Sequence, residues 1–284
     1  MVANPTSPEN PPTIGLIGAG NMARSLAGGL LASGWPKDKL ILSDPDDGQR
    51  AAVERHLGVG VYRDNRDVAR KADILVFAIK PQVFGAVARA LASGVQSRRP
   101  LVVSLAAGVR IADIDRWLGG NLPIVRAMPN TPALVGSGAS GLFANERVTS
   151  DQHDRAEAIV RAVGVAVWVS SEAQLDVVTA LSGSGPAYFF LVMEALEEAA
   201  IARGLPRDQA RLLALETAFG AAKMALEGAD EPQLLRRQVT SPGGTTEAAI
   251  KTLEDGGLRQ LFSRAIMAAE QRAGELGDLF GKDS

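Results

Sequence analysis

Short apolar runs alternate with segments of helical periodicity over residues 13–170, and this alternation constrains the fold more than any other feature of the chain. The apolar runs cover residues 13–18, 40–44, 59–62, 74–79, 101–106 and 124–128. Strands that are apolar on both faces and are joined by helices are typical of a parallel sheet covered on both sides. Two later runs, 140–144 and 165–170, flank a helical segment at 151–163, so we expect them to extend the sheet. Residues 13–170 are therefore predicted to form an α/β domain.

Residues 171–284 differ in character, because helical segments continue while no clear strand remains. The predicted helices cover residues 172–203, 206–227, 231–238, 243–254 and 257–276. Residues 208–226 are apolar on nearly every side, and a helix without a polar face is buried in a core or at a subunit interface. We favour burial against a second copy of the chain, which makes this region an all-α dimerisation domain. A central helix of a monomeric bundle is the alternative.

The composition excludes several classes of function. The net charge of −2 gives no support to binding of nucleic acid or of a membrane surface. The chain has no cysteine, which excludes a disulfide scaffold and zinc–sulfur sites, and no metal-ligand spacing is found. Residues 1–12 lack the features of a signal peptide, and no stretch approaches the roughly 20 uninterrupted apolar residues of a membrane span. We expect a disordered lead-in at 1–12 and a cytoplasmic protein that binds no metal.

The first apolar run ends at Ile17 and leads into a G-x-G-x-x-A fingerprint, Gly18-Ala19-Gly20-Asn21-Met22-Ala23. In this pattern the first glycine makes a tight turn, and the second lets the backbone approach a pyrophosphate. The alanine allows the helix to pack closely on the strand, and the N-terminus of that helix faces the phosphates. The alternative is a glycine turn without a ligand. The apolar run before the glycines and the amphipathic helix after them favour a dinucleotide site.

Asp44, at the end of the second run, bears on the choice of coenzyme. A carboxylate here would accept hydrogen bonds from an adenosine ribose diol and would repel a 2′-phosphate, which favours NADH. Arg50 could offset this effect by pairing with a 2′-phosphate. Asp44 also begins an Asp-Pro turn with Pro45, in which its role would be structural. NADH and NADPH therefore both stay open. Asn65, just after the third run, could reach the adenosine ribose.

Three further runs end in segments suited to line a cofactor cleft, because ligands of an open parallel sheet lie at the carboxyl ends of its strands. The fourth run ends in Ala78-Ile79-Lys80-Pro81, where Lys80 could equally be solvated. The fifth ends in small residues, Ala106-Ala107-Gly108, which leave space for a flat nicotinamide ring. The sixth ends in a stiff loop at 128–132 that contains two prolines.

Two glycine-rich stretches interrupt the helical half. Residues 181–187 (LSGSGPA) lie inside a helical run, and glycine and proline there predict a kink or break, for which close approach of a ligand is one reason. Residues 239–246 (VTSPGGTT) precede a predicted helix and offer free backbone N–H groups and hydroxyls at its N-terminus. A carboxylate of a small substrate would fit this loop. The alternative is ordinary N-capping by Thr245 or Thr246 with Glu247 in the first turn.

The residues that are missing narrow the chemistry. Both histidines, His56 and His153, lie in polar helical contexts, so no histidine base is indicated. No nucleophile elbow is found. A cofactor site and an anion-binding loop without a strong side-chain base indicate hydride transfer onto an electrophile that is already activated. A protonated imine meets that description.

Several long motifs resemble those of the pyrroline-5-carboxylate reductase family, in the family's order from residue 13 to about residue 276. They are residues 234–254 (LLRRQVTSPGGTTEAAIKTLE), 127–133 (AMPNTPA), 182–188 (SGSGPAY), 220–224 (GAAKM) and 79–81 (IKP). The resemblance implies a Rossmann-type N-terminal domain and a helical C-terminal domain that builds an intertwined dimer, in some members a ring of dimers. It also implies that the C-terminal domain of one subunit covers the coenzyme of its partner.

The resemblance further implies which residues bind the two reactants, NADPH or NADH and 1-pyrroline-5-carboxylate, which is reduced to L-proline. The coenzyme residues that it implies are Gly18, Ala19, Gly20, Asn21, Met22, Asn65, Ala78, Ile79, Lys80, Pro81, Ala106, Ala107 and Gly108. To these we add Ile17 and Asp44, at the ends of the first and second apolar runs. The substrate residues that it implies are Val239, Ser241, Gly243, Gly244, Thr245 and Thr246. Our own hypothesis makes Thr246 the catalytic residue, because its hydroxyl could hydrogen-bond the ring nitrogen. Asp44 departs from the family pattern, since many members carry a small or hydroxyl residue there to admit NADPH.

Two other functions are compatible with the residues considered alone. A β-hydroxyacid dehydrogenase has a similar fingerprint and a helical second domain, but it needs a lysine acid–base, for which Lys223 is the candidate with apolar neighbours. A non-catalytic redox sensor would bind the coenzyme and signal through dimer contacts. The loop at 239–246 argues against a sensor, which has no need of a second anion site.

Overall fold

The computed structural model describes residues 11–282, so the predicted lead-in at 1–12 lies almost entirely outside the described residues. The strands are β1 Ile14–Ile17, β2 Leu40–Ser43, β3 Gly60–Tyr62, β4 Ile74–Phe77, β5 Leu101–Ser104, β6 Ile124–Met128, β7 Gly138–Ala144 and β8 Gly164–Trp168. The α-helices of the sheet region are α1 Asn21–Ala32, α2 Asp47–Leu57, α3 Asn65–Ala69, α4 Pro81–Arg98, α5 Ile111–Trp117 and α6 Ser150–Arg161. They are followed by α7 Gln174–Val178, α8 Gly185–Ile201, α9 Arg207–Glu227, α10 Pro232–Gln238, α11 Thr245–Asp255 and α12 Leu258–Phe280.

All of these strands join one sheet, in the order β3-β2-β1-β4-β5-β6-β7-β8. The first six have the parallel order of a doubly wound dinucleotide-binding fold. β7 is antiparallel to β6, and β8 is parallel to β7. The predicted extension of the sheet is confirmed, but the direction of β7 was not anticipated. Only a short 3-10 turn, Thr131–Val135, separates β6 from β7, and a parallel pair would need a longer crossover.

Helices cover both faces of the sheet, as the apolar strands predict. Successive side chains of a strand point to opposite faces, so Leu16 packs in one core cluster with Leu26 of α1, whereas Ile17 packs in the other with Phe84 of α4. The rings of Phe77 and Phe84 lie 4.8 Å apart between centroids. Burial on both faces explains why the strands are apolar throughout rather than alternating.

The chain divides into two compact units, one comprising the residues up to Ser184 and from Ala269 onward, the other Gly185–Ala268. This division differs in two places from the boundary expected between residues 170 and 171. Residues 171–184 stay with the sheet, where the side-chain amide of Asn130 donates to the carbonyl of Ser182 at 3.1 Å.

The end of α12 also belongs to the sheet unit. Gly277 is buried beside Gly108, and Phe280 packs against the core cluster of α4 and α5. The sequence predicted a helix that ended near residue 276, whereas α12 continues to Phe280. Gly277 and Phe280 make the contacts by which the end of the helix belongs to the first unit.

In the second unit, α8 and α9 pack against each other, and α9 leaves most of its apolar side chains exposed. Phe219 is 63% exposed and Leu226 is 85% exposed, and the buried residue of this helix is the small Ala210. The central helix of a monomeric bundle would be buried, so that alternative does not describe this chain. The surface of α9 has instead the character of a subunit interface.

One helical run of the described residues, 174–201, is long and apolar enough to cross a membrane. The sequence had predicted no membrane span in this region. A single run of this kind is weak ground for a membrane protein, because interface and core helices have the same composition. It also contains a π-helical turn, Thr179–Gly183, between α7 and α8.

Candidate active site

The glycine loop after β1 has the geometry that the fingerprint predicts. Gly18 has φ +99°, and a Cβ at this position would lie 2.6 Å from the carbonyl oxygen of Ala78. A side chain is therefore excluded by both conformation and space. Gly20 is the N-cap of α1, and a Cβ there would meet no atom within 4 Å. The open space at Gly20 lies where a pyrophosphate approaches in this fold.

Backbone donors at the start of α1 face that space without acceptors. Within residues 11–282, the N–H groups of Gly20, Asn21 and Met22 have no hydrogen-bond partner, whereas the N–H of Gly18 donates to Ser43 at 2.7 Å. No side chain caps the helix. Unpartnered donors at the positive end of a helix dipole form an anion site, so the coenzyme phosphates fit these residues.

Asp44 is tied to the glycine loop by both carboxylate oxygens. One oxygen accepts from the N–H of Ala19 at 2.8 Å, and the other accepts from the N–H of Asp46 at 2.9 Å. The guanidinium of Arg50 donates to the carbonyl oxygens of Asp44 and Pro45 at 2.8 and 2.9 Å and forms an ion pair with Asp47. Asp44 therefore has the structural role that the Asp-Pro turn suggested. The charge of Arg50 is already balanced by Asp47.

Asn65 opens α3 and carries a buried side-chain oxygen, Oδ1, without a hydrogen-bond partner in the described part of the chain. Buried acceptors are rarely left unpaired in proteins. Asn65 lines a cavity of about 640 Å³. The other residues that line it are Pro45, Arg63, Asp64, Arg66, Ala86, Val87, Ala90 and Leu91. The unpaired oxygen and the neighbouring Pro45 fit the adenosine end of a dinucleotide, which supplies hydroxyl and amino donors.

The two remaining segments that were predicted to bind the coenzyme also lie at the carboxyl edge of the sheet. Ala78 and Ile79 follow β4, and Lys80 is exposed at the N-cap of α4, with Pro81 in its first turn. Ala106, Ala107 and Gly108 follow β5, and Gly108 has φ +74°. These segments keep the predicted position, and the exposure of Lys80 agrees with a solvated ammonium group.

The structure links two motifs whose connection the sequence did not reveal. Asn130, 8% exposed, accepts from the N–H of Ala139 at 2.9 Å and donates to the carbonyl of Ser182 at 3.1 Å. A Cβ on Gly183 would lie 2.8 Å from the Sδ-attached methyl of Met128. The kink predicted at 181–187 is a π-helical turn that brings glycine against the loop after β6, and π turns often mark functional sites.

The loop before α11 forms a second site rich in backbone donors. The N-cap of α11 is Gly244, and no side chain caps the helix, so neither Thr245 nor Thr246 plays the capping role that was the alternative explanation. The N–H of Gly243 donates to the carboxylate of Glu247 at 2.8 Å, and that of Gly244 donates to Ser241 at 3.0 Å. The residue pattern had placed Glu247 only in the first turn of the N-capping alternative and did not predict its bond to Gly243.

Three backbone donors of this loop stay unpartnered among the described residues, those of Thr245, Thr246 and Glu247. Gly243 has φ +72°, and a Cβ on Gly244 would overlap the hydroxyl of Ser241. The tight Ser241–Gly244 turn therefore requires glycine at both positions. Val239 and Ser241 are exposed, and Thr246 is half-buried.

A doubly wound sheet with an open pyrophosphate site, together with an anion-binding helix N-terminus, defines an NAD(P)H-dependent oxidoreductase that acts on a small anionic substrate. Residues 13–108 match a family model described as "NADP oxidoreductase coenzyme F420-dependent". Residues 172–276 match one described as "Pyrroline-5-carboxylate reductase dimerisation".

Relatives extend this match over nearly the whole chain. A pyrroline-5-carboxylate reductase from Pseudomonas aeruginosa is 49% identical over 271 residues, which covers 95% of this chain and 99% of the relative. The structure of such a reductase from Coxiella burnetii superposes with a TM-score of 0.91 at 49% identity, covering 94% of this chain and 99% of that one. A Plasmodium falciparum reductase with NADP bound superposes with a TM-score of 0.82 at 29% identity, covering 94% and 98%.

The chain belongs to the pyrroline-5-carboxylate reductase family. It is an oxidoreductase that reduces 1-pyrroline-5-carboxylate to L-proline with NAD(P)H, a step of proline biosynthesis. The two competing functions are thereby set aside. Lys223, the acid–base candidate of a β-hydroxyacid dehydrogenase, is exposed and lies 3.9 Å from Glu227, one helical turn away.

Proposed function

We propose that the reaction is divided between the two donor-rich half-sites. The coenzyme half-site consists of the glycine loop with Asp44 and Asn65, residues 78–81, and residues 106–108. The substrate half-site consists of Val239, Ser241, Gly243, Gly244, Thr245 and Thr246. The observation that carries the substrate assignment is the set of unpartnered N–H groups at Thr245, Thr246 and Glu247, which match the carboxylate of 1-pyrroline-5-carboxylate.

When bound, NAD(P)H supplies the hydride, and the residues of this chain position its acceptor. The first turn of α11 binds the substrate carboxylate through backbone donors. The hydroxyl oxygen of Thr246 accepts a hydrogen bond from the protonated imine nitrogen and orients the ring. The positive nitrogen already draws electrons from the reacting carbon, so the substrate needs no strong general acid. Positioning and exclusion of water then provide most of the acceleration.

Replacement of the hydroxyl of Thr246 tests this assignment. We expect Thr246→Ala to lower kcat by on the order of 10²-fold with little change in the Kd for NAD(P)H, because only the substrate is misplaced. Thr246→Ser, which keeps the hydroxyl, should recover much of the loss. Thr252→Ala is the matched control, because Thr252 lies on the same helix and its hydroxyl donates to Ala248 at 3.0 Å. Full turnover in Thr246→Ala would remove this residue from the mechanism.

We further propose that the enzyme is a cytoplasmic homodimer, in which the substrate half-site of one subunit serves the coenzyme half-site of its partner. The dimerisation family match and the exposed apolar side chains of α9 support the dimer. Sedimentation of the full chain would distinguish a dimer from a ring of dimers, which the resemblance also allows.

Complementation between variants tests the exchange of half-sites. A Gly20→Val chain would lack coenzyme binding, and a Thr246→Ala chain would lack substrate positioning. If each centre is shared, one of the two centres in a mixed dimer receives two intact halves. After dissociation and random reassociation of equal amounts, about half of the dimers are mixed, so the mixture should regain about one quarter of wild-type activity. Mixed dimers with no more activity than either parent would show that each subunit works alone.

A further inference from the structure

The last turns of α12 pack against residues 106–108, the loop assigned above to the nicotinamide ring. A Cβ on Gly108 would lie 3.2 Å from Cδ2 of Phe280 and 3.4 Å from the backbone nitrogen of Gly277. A Cβ on Gly277 would in turn lie 3.3 Å from the carbonyl oxygen of Gly108. The backbones of the loop and of the helix therefore touch, and this closeness requires glycine on both sides.

Polar contacts flank this packing and keep it in register. Arg110, two residues after the loop, pairs with Asp278 at 2.7 Å and donates to the carbonyl of Gly274 at 3.4 Å. At the other side of the helix end, Arg116 donates to the carbonyl of Gly281 at 2.9 Å. Both arginine contacts are substantially exposed, so they orient the end of α12 more than they stabilise it. The stronger contact is Phe280, which packs against the core cluster of α4 and α5.

The start of α5 is held independently. The N–H of Ile111 donates to Glu172 at 2.7 Å, and the same carboxylate oxygen accepts from the buried Arg126 at 2.7 Å. Glu172 thus fixes the far end of the loop, at Ile111. Phe280 and Gly277 contact the middle of the loop, at Gly108. Ala107 lies in that middle and is half-buried.

We infer that Phe280 is a positioning residue for hydride transfer: it packs the C-terminal turn of α12 against Gly108 and so fixes the position of residues 106–108, which would hold the nicotinamide ring. This inference rests on the proposed role of that loop. Phe280 does not itself touch the reacting atoms, and a shift of the loop would alter the distance and angle between the coenzyme and the substrate carbon.

Three single variants of the full-length enzyme test the inference. Phe280→Ala is expected to raise the KM for NAD(P)H and to lower kcat, so that kcat/KM for NAD(P)H falls by about 10- to 100-fold. The KM for 1-pyrroline-5-carboxylate should stay nearly unchanged. Phe280→Leu, which refills the space, should recover most of the loss. Leu279→Ala is the matched control, because Leu279 is the neighbouring residue of the same turn and is 56% exposed. It should behave as wild type.

The alternative outcomes separate this inference from the assignment of the loop. A lower Tm for Phe280→Ala with unchanged kinetic constants, measured well below that Tm, would overturn it by showing a purely stabilising role. Ala107→Val places extra volume on the loop itself. If Ala107→Val weakens NAD(P)H binding while Phe280→Ala does not, the loop assignment stands and the role of Phe280 falls. If neither variant affects the coenzyme, the loop assignment falls, and the inference falls with it.

Discussion

The carboxylate of Asp44 accepts a hydrogen bond from the backbone N–H of Ala19 at 2.8 Å, so the residue after β2 is tied to the middle of the glycine loop. A second bond, from the N–H of Asp46, restrains the other carboxylate oxygen. The carboxylate cannot swing away from the coenzyme site without breaking both. In the coenzyme site proposed above, its negative charge would therefore stay near the 2′-substituent of the adenosine ribose.

Removal of this charge should favour NADPH. In Asp44→Asn, an amide oxygen can still accept from the loop, but the repulsion of a 2′-phosphate is lost. We expect the ratio of kcat/KM for NADPH to that for NADH to rise about tenfold, equivalent to ~1.4 kcal/mol. Steady-state assays with both coenzymes measure it, and Glu54→Gln on the exposed face of α2 is the control. An unchanged ratio would leave Asp44 with a structural role alone.

The two fingerprint glycines should respond differently to the same substitution. Gly20→Ala has room within the protein and costs about 1 kcal/mol as a helix N-cap, but its methyl group enters the pyrophosphate space. We expect at least about a tenfold weaker Kd for NADPH with a small change in Tm. Gly18→Ala is strained at φ +99° and meets the carbonyl of Ala78, so its main effect should be a large fall in Tm.

Fluorescence titration with NADPH and thermal melts of both glycine variants make the comparison. The opposite order, with Gly20→Ala unstable and Gly18→Ala well folded but unable to bind, would contradict the geometry of the loop.

Glu247 should support the substrate loop through its bond to Gly243. In Glu247→Ala the N–H of Gly243 loses its acceptor, and a lost bond of about 1 kcal/mol corresponds to about a fivefold rise in the KM for 1-pyrroline-5-carboxylate. Glu247→Gln keeps an acceptor and should retain a KM close to that of wild type. Asp255→Ala, at the far end of α11, serves as the control. A lower KM in Glu247→Gln would instead indicate that the carboxylate repels the substrate.

Glu157 should make stability depend on pH. Hydrogen bonds from Arg161, first, and from the indole of Trp168, second, hold the pKa of Glu157 below its usual value. A carboxyl with a lowered folded pKa stabilises the fold above its unfolded pKa of about 4.3, and this contribution disappears as the pH falls through the folded pKa. Glu157→Gln should therefore melt about 2–4 °C below wild type at pH 7.

The difference between Glu157→Gln and wild type should shrink toward zero in melts below about pH 4. Glu146→Gln, whose partner Arg147 lies on the same exposed loop, provides a comparison of a weaker pair. A difference that persists unchanged at low pH would mean that shape, rather than charge, accounts for the effect.

The residue pattern predicted the fold to within a few residues at most element ends, because burial on both faces leaves each strand apolar and each helix amphipathic. It did not predict the antiparallel direction of β7, since direction depends on the length of the connection at Thr131–Val135 and not on strand composition. Nor did it predict that α12 returns to the sheet unit. That contact depends on Gly277 and Phe280, which look like ordinary helix residues until Gly108 is placed against them.

At the candidate site, the glycine positions were predictable because a local property, the positive φ of Gly18 and Gly243, requires glycine there. Contacts distant in sequence were not. The bond from Asn130 to Ser182 spans 52 residues, and it joins the loop after β6 to the π-helical turn that the sequence showed only as misplaced glycine and proline. The contact of Glu247 with Gly243 was not predicted, because a glutamate in the first turn of a helix is common and only this bond distinguishes it.

The exposed apolar surface of α9 makes the stability of this chain a function of its own concentration. A helix whose apolar side chains are buried only against a second copy of the chain cannot become buried in a unimolecular reaction. Recovery of activity from denaturant should thus include a second-order step whose half-time shortens as more protein is present. Unassembled chains would meanwhile expose an apolar surface, so pairing soon after synthesis would protect them from aggregation.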